Sequence, residues 1–273
     1  MRIKKVIGLL ALAGIFGVFL NNGVKAGITD GLVASYMFDG NANDSSGNNL
    51  NGTISGAILA GDRFGNTNSA YYFDGEDDYI EVQNTSGAFN LVNAWTLSAW
   101  INPFSSVEGT ASGPIIWKTS IVGNNMDTFG MSWEPGDIIL SKLERASDDD
   151  DLTVFSQSHS INNWYHVVGL YDGDFIKIYI NNSLEDQLQI GSVTAYTGPA
   201  PLRIGNTQHT SHGNDGIFHG IIDDVLIFDR ALSEDEISDL YGDFEAVPAP
   251  GALLLGGFGV VLVNRLRKYR VLS

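Results

Sequence analysis

The stretch from residue 220 to residue 241 constrains the fold most, because it joins an apolar strand pattern to a short helix pattern. Both predicted faces of the strand are apolar, with Ile222, Leu226 and Phe228 on one and Ile221, Val225 and Ile227 on the other. Such a strand is covered on both faces, which predicts a layered domain. Asp223 and Asp224 interrupt it, and strand geometry predicts carboxylates on opposite faces. A buried carboxylate costs free energy unless it is hydrogen-bonded or bound to a cation.

The helix that follows has clear start and stop signals. Ser233 and Glu236 have the spacing of a capping box. Ile237, Leu240 and Tyr241 form an apolar stripe at helical spacing, and Gly242 predicts the end of the helix.

The rest of the body, residues 27–241, predicts strands separated by turns. Trp95, Leu97, Ala99 and Ile101 alternate with Thr96, Ser98 and Trp100, and a similar period of two runs from Trp164 to Leu170. No internal repeat is found, and the acidic run at residues 148–151 predicts a solvated loop. The sequence therefore predicts an all-β fold with one short C-terminal helix.

Five motifs precede the closing segment in a characteristic order. They are LVASYMFDGNANDSSGNNLNGT (residues 32–53), AYYFDGEDDYIEV (70–82), WTLSAWINP (95–103), WYHVVGLYDGDFIKIYINNSL (164–184) and LRIGN (202–206). Together with the closing segment they resemble the LamG-like jellyroll domains of the concanavalin A-like lectin/glucanase superfamily. The resemblance covers residues 32–241. It implies one antiparallel β-sandwich of jellyroll type over residues 27–245.

The body is strongly acidic. It holds all 32 Asp and Glu residues but 7 of the 15 Lys and Arg residues, so its charge is 7 − 32 = −25. Such a surface repels nucleic acid and anionic lipid, which excludes those partners, and it suits cations. The chain has no cysteine, so packing or a bound ion must hold the domain.

Residues 1–26 have the pattern of a secretory signal peptide. Arg2, Lys4 and Lys5 precede a 15-residue apolar run at residues 6–20, and small residues at 24–26 predict cleavage. An uncleaved membrane anchor is the alternative. The acidic body is therefore expected outside the cytoplasm.

The tail, residues 246–273, predicts a transmembrane helix followed by the basic residues Arg265, Arg267, Lys268 and Arg270. Its layout resembles the PEP-CTERM sorting segment, with Ala249 in the place where that family usually has Glu. The resemblance implies tethering to the inner membrane of a Gram-negative-type bacterium and processing by an exosortase-type enzyme. The final location would then be the cell surface or extracellular matrix. A plain C-terminal anchor is the alternative.

Calcium is the predicted cofactor. The loop after the first strand is rich in oxygen ligands, and the resemblance implies that it lies beside the last strand. The predicted ligands are Asp39, Asn41, Asp44, Asn49 and Asp223. A network of turn hydrogen bonds without metal is the alternative, and the turn at residues 74–78 is a second, weaker candidate.

Tryptophans are the predicted sugar-stacking residues. Trp95, Trp100 and Trp164 occur in alternating strand patterns, which favours core positions. Trp117 and Trp133 lie in less regular surroundings and are therefore the predicted ligand-binding rings.

Catalysis is not predicted. No strand places carboxylates at alternate positions as the β-glucanase relatives do, and no nucleophile or phosphate-loop motif occurs. A metal bound by His209 and His212 is a remote alternative. The sequence thus predicts a non-catalytic surface or matrix module that binds carbohydrate or exopolysaccharide. A structural or adhesive matrix protein with a protein partner, or a glycan-active enzyme of the same fold, remain the alternatives.

Overall fold

The structure is a computed structural model that describes residues 28–105, 112–120, 127–147, 150–207 and 217–243. The predicted signal peptide, the predicted sorting tail and His209 and His212 lie outside the described residues. Among the described residues, none of the helices is both long and apolar enough to cross a membrane.

The described chain is built almost entirely of strands. They are β1 (Leu32–Tyr36), β2 (Thr53–Ser55), β3 (Ile58–Ala60), β4 (Ala70–Asp74), β5 (Tyr79–Val82), β6 (Trp95–Pro103), β7 (Gly113–Thr119), β8 (Asp127–Glu134), β9 (Ile138–Arg145), β10 (Asp150–Phe155), β11 (Tyr165–Tyr171), β12 (Phe175–Ile180), β13 (Ser183–Gln189), β14 (Leu202–Ile204) and β15 (His219–Phe228). A 3-10 helix at Thr85–Gly87 and the α-helix α1 (Glu234–Asp243) complete the described elements.

The strands form two antiparallel sheets. The eight-stranded sheet has the order β13-β12-β11-β6-β15-β4-β3, with β1 also paired to β15. The seven-stranded sheet has the order β10-β9-β8-β7-β14-β5-β2. Two antiparallel sheets with one short helix form a β-sandwich of jellyroll type, so the predicted fold class is confirmed.

The main core lies between the two sheets. Trp95, Leu97, Ala99 and Ile101 of β6 all point into it, as their alternation predicts. Trp95 packs against Phe129 of the opposite sheet with ring centroids 5.4 Å apart and the ring planes tilted by 31°. The period of two therefore identified the buried face of this strand correctly.

Helix α1 covers part of the outer face of the eight-stranded sheet. Its Ile237 and Leu240 belong to a second buried cluster with Leu226 and Phe228 of β15. The capping box forms as predicted: Ser233 Oγ accepts from Glu236 N at 3.3 Å, and Glu236 Oε2 accepts from Ser233 N at 2.8 Å. The helix nevertheless continues through Gly242, so the predicted stop at that residue is wrong by about one residue.

The predicted face assignment of β15 is wrong because the strand contains a β-bulge. Asp223 pairs with Trp100 and Leu226 with Ser98, so Asp224 and Val225 lie opposite the single residue between them. The extra residue shifts the alternation. Ile222 consequently shares the main core with Val225 and Ile227, while Leu226 and Phe228 face helix α1.

The acidic run at residues 148–151 was predicted to be entirely loop. Asp150 and Asp151 instead begin β10, an edge strand of the seven-stranded sheet. Both residues are exposed there, and Asp151 faces Lys142 with 2.7 Å between its Oδ1 and Nζ. An edge position and a lysine partner together make a strand tolerable for adjacent carboxylates.

Candidate functional site

Asp44 fastens the oxygen-rich loop to the first strand. Its carboxylate accepts hydrogen bonds from Ser35 N at 3.0 Å, Ser46 N at 2.8 Å, Ser46 Oγ at 2.8 Å and Leu50 N at 3.0 Å. Two donors reach each carboxylate oxygen. The lone pairs that a calcium ion would need are thus already engaged by protein donors.

Asp223 and Asp224 share the guanidinium of Arg63. Nη1 of Arg63 lies 3.2 Å from Asp223 Oδ2 and 2.8 Å from Asp224 Oδ2. All three side chains are more than nine-tenths buried. The expectation that the two carboxylates point to opposite faces is therefore wrong, because the bulge turns both toward one cation.

The remaining predicted calcium ligands lie in the exposed part of the loop. Asn41 Oδ1 accepts from Asn43 N at 2.8 Å, and Asn49 Nδ2 donates weakly to Gly47 O at 3.4 Å. Asp39 is exposed and raises the pKa of Asp224 through its negative charge, a smaller effect than burial. The five residues do not fit a single calcium cage, since Asp44 and Asp223 already have other partners. Calcium binding itself stays a prediction.

Arg63 also anchors a column of rings on the outer face of the eight-stranded sheet. Its guanidinium carbon lies 4.3 Å from the Trp100 ring centroid and 4.5 Å from that of Phe64. Two rings stack on Trp100: Tyr241 of helix α1, with 5.8 Å between ring centroids, and His166. Burial, with help from the Arg63 charge, lowers the pKa of His166 to about 3, so the imidazole is neutral at physiological pH. The rings of this column contact each other and Arg63, so we assign the column a structural role.

Trp133 is a core residue, so its predicted role as an exposed stacking ring is wrong. Its side chain is 1% exposed and it packs between the sheets with Phe129 and Met131. A ring in the core cannot reach a sugar.

Trp117 is also largely covered, at 8% exposure, which removes the basis for its predicted role as an exposed ring. Its indole lies flat over Gly130, where a Cβ atom would approach the ring to 2.3 Å. Trp117 Nε1 donates to Asp127 Oδ1 at 2.8 Å, and Asp127 Oδ2 accepts from Lys142 Nζ at 2.8 Å. The ring thus supports a buried ion pair.

The second acidic candidate is a hairpin tip. Carboxylate oxygens of Asp74, Asp77 and Asp78 lie within 4.8 Å of one another. Asp78 is buried and accepts from Asp74 N at 2.9 Å, which closes the turn. Burial raises the pKa of Asp78. These contacts show that the three carboxylates are brought together by the hydrogen bonding of the turn.

An open pocket of about 590 Å³ lies beside the oxygen-rich loop. This volume is within the usual range of small-molecule sites. The start of β1, the loop, the 3-10 helix and the residue after β15 form its wall. The lining residues are Thr29, Gly31, Leu32, Val33, Asn48, Asn49, Leu50, Thr85, Ser86, Ala88 and Asp229.

The pocket combines hydrogen-bonding side chains with a small apolar surface. Asn48 is held in place, because its Nδ2 donates to Leu32 O at 3.2 Å and to Val33 O at 2.9 Å. Asn49 and Ser86 adopt left-handed backbone conformations with φ of 59° and 54°. Strained backbone at a pocket is typical of preorganised sites. Amides, hydroxyls and apolar carbons together match the polar and C–H surfaces of a sugar.

Sequence reasoning identified one wall of this pocket and missed the others. Asn49 was singled out as a calcium ligand, and its loop does border the pocket. Thr85, Ser86 and Asp229 were not singled out, because they come from distant parts of the chain. The Asn-Thr-Ser-Gly turn signal at residues 84–87 was the one local indication.

The fold and pocket define a jellyroll-type β-sandwich with a ligand-sized site at a loop end. The chain belongs to the concanavalin A-like lectin/glucanases superfamily, whose Laminin_G_3 model matches residues 73–238. That match covers more than half of the 273 residues. A comparison with curated proteins found no match.

Several solved structures are similar to the chain. The binding domain of paraclostridial mosquitocidal protein 1 has a TM-score of 0.63 at 19% identity, covering 79% of this chain and 53% of that one. Botulinum neurotoxin type C, described as interacting with two ganglioside molecules, has 0.61 at 19% identity, with 80% and 52% coverage. The neurotoxin DC binding domain, in complex with rat synaptotagmin II, has 0.60 at 18% identity, with 79% and 52% coverage. The chain spans about half the length of these structures, and such identities show the fold alone.

Proposed function

We propose that this protein is an exported, non-catalytic module that binds carbohydrate, such as an exopolysaccharide, in the pocket beside the first loop. The observation that carries the proposal is the lining, which offers amide, hydroxyl and carboxylate groups beside apolar carbons in one open site. Sugars need both kinds of contact. The similar neurotoxin structure described with ganglioside molecules adds support.

Non-catalytic binding is the better proposal because the pocket lacks a pair of carboxylates. Asp229 is the one carboxylate among its lining residues. Glycoside hydrolysis in its usual form needs two, as acid and as base or nucleophile. A binding role needs none.

A glycan array probed with the full chain tests the proposal. Asn49→Gly and Ser86→Gly remove pocket side chains while keeping backbone conformations that glycine adopts readily. Each should weaken binding about 2- to 10-fold, the effect of one lost hydrogen bond. Gln187→Ala, on the exposed strand β13, is the matched control and should bind as the wild type does. Binding that both pocket variants leave intact would move the site elsewhere.

A protein partner is the second candidate function. Leu184 and Leu188 are 40% and 42% exposed on β13, the end strand of the eight-stranded sheet as described, whose Asp186 and Glu185 accept hydrogen bonds from Phe155 N and Gln157 N. Exposed edge strands with apolar residues are places where another chain can add. Two results together would favour this function: an array without any glycan signal, and a pull-down of a matrix protein by the wild type that is lost in Leu188→Glu.

Export and membrane tethering complete the proposal and rest on the two chain ends. The acidic body lies between a basic-apolar N-terminal segment and an apolar-basic C-terminal segment. We propose that the body crosses the inner membrane, is held by its tail and is released by an exosortase-type enzyme to the surface or matrix. A reporter enzyme fused after residue 245 should be active only in its periplasmic form. Activity only in the cytoplasmic form would reject this topology.

A further inference from the structure

Every basic side chain of the body is already engaged within the protein. The seven Lys and Arg residues between the two chain ends all lie in the described residues. Six form ion pairs: Arg63 with Asp223 and Asp224, Lys142 with Asp127 and Asp151, Arg145 with Asp150, Lys177 with Asp172, Arg203 with Glu81, and Arg230 with Glu236. Lys118 is the seventh.

Lys118 is fully buried and points inward. Its Nζ donates to the carbonyl oxygens of Thr119 and Gly198. Burial lowers its pKa to about 8, which further weakens it as a cation. It offers nothing to a ligand at the surface.

A bound anion would have to take a cation from its carboxylate partner. The more exposed pairs are tightly made, with Arg145 Nη2 2.5 Å from Asp150 Oδ2 and Arg230 Nη2 2.6 Å from Glu236 Oε1. Breaking either pair to bind an anion leaves an acidic group without its counter-charge. The exchange gains little, because one ion pair replaces another.

The pocket itself carries negative charge. Asp229 is its one ionisable lining residue and forms no ion pair among the described residues. Asp30, next to the lining residues Thr29 and Gly31, has a side chain that is 92% exposed, and its Oδ2 lies 3.6 Å from Nε of Arg230, which also pairs with Glu236. One guanidinium thus faces three carboxylates, those of Asp30, Asp229 and Glu236, so the local charge at the mouth of the pocket is negative. The body as a whole is negative too, at 7 − 32 = −25.

We infer that the pocket selects neutral and amino sugars and rejects acidic glycans, such as those built from uronic or sialic acids. The inference rests on the proposed function and names its ligand class. An amino sugar carries a cation that Asp229 attracts, whereas a carboxylate sugar meets like charge and no free base.

Matched oligosaccharides test the inference on the full chain at about 0.01 M ionic strength, where charges act over roughly 30 Å. The probes are a chitosan tetrasaccharide, its N-acetylated neutral counterpart, cellotetraose and a tetragalacturonate, measured by calorimetry. The amino form should bind about 2- to 5-fold tighter than its N-acetylated form, and the galacturonate more weakly than cellotetraose by a similar factor.

Asp229→Asn should bring the ratio of the affinity for the amino form to that for the acetylated form toward 1. Asp235→Asn makes the same charge change on helix α1, outside the pocket lining, and should leave this ratio as it is in the wild type. Galacturonate binding as tight as cellotetraose binding would overturn the inference and leave the proposed function standing. A ratio unchanged in Asp229→Asn would overturn it as well. If no glycan on a full array binds, the proposed function falls, and the inference with it.

Discussion

Nη1 of Arg63 lies between two carboxylates that are consecutive in the chain, 2.8 Å from Asp224 and 3.2 Å from Asp223. The β-bulge makes this geometry possible, and Asp224 takes a positive φ of 45° to reach it. The ion pair sits where β15 leaves β4 and begins to pair with β1. It therefore fastens the loop after β3 to the centre of the sheet.

Arg63→Met should destabilise the domain strongly, because it leaves two buried carboxylates without a cation. Breaking a buried ion pair costs about 3–5 kcal/mol. Arg145→Met is the control, since the Arg145–Asp150 pair is exposed and should cost about 0–1 kcal/mol. Urea unfolding measures both. Equal losses in the two variants would show that the Arg63 pair contributes no more than a surface contact.

The stability of the domain should depend on pH through Asp224. Burial raises the pKa of Asp224 to about 6 from its ordinary value of 3.8. A carboxyl with a raised folded-state pKa contributes stability that is complete below 3.8 and is lost as the pH rises through about 6. Asp224→Asn lacks this titration. Its free energy of unfolding relative to the wild type should therefore increase between pH 4 and pH 7, and a pH-independent difference would contradict the assignment.

Thermal melts distinguish the predicted calcium site from a metal-free hydrogen-bond network, and in the second case calcium should have little effect on the melting temperature because Asp44 and Asp223 have protein partners. Asp44→Asn should cost about 1–3 kcal/mol through unsatisfied donors, equally in EDTA and in calcium. Thermal melts in both buffers test this. A bound ion at 100 times its dissociation constant would instead add about 2.7 kcal/mol, and a rise that Asp44→Asn abolishes would restore the predicted calcium site.

Trp133→Ala should cost about 3–5 kcal/mol, as large-to-small changes in a packed core do. The same change at an exposed ring, Phe155→Ala, should stay within about 0.5 kcal/mol, since Phe155 is 43% exposed on an edge strand. Chemical denaturation compares the two. A Trp133→Ala variant as stable as Phe155→Ala would place that ring outside the core.

The elements predicted best were those set by local chemistry. The alternation from Trp95 to Ile101 identified a buried face, and the spacing of Ser233 and Glu236 identified the start of the helix. Such signals depend on residues within a few positions of each other. Trp133 could have been assigned in the same way, because Phe129, Met131 and Trp133 alternate with small residues.

The site depended on contacts that sequence spacing does not encode. Arg63 and Asp223 are 160 positions apart, and Arg63 lies in a loop without a strand pattern. The bulge in β15 leaves the apolar composition unchanged while moving residues between faces. Asp229 joins Thr85 and Asn49 in one pocket only after both sheets have formed.

Strand β15 is the last strand in the chain but lies at the middle of its sheet, bordered by β6 on one side and by β4 and β1 on the other. The eight-stranded sheet therefore cannot be completed until residue 228 has been synthesised. Contacts so distant in sequence slow folding. The order of the strands therefore makes completion of the sandwich a late step, one that waits for nearly all of the described residues.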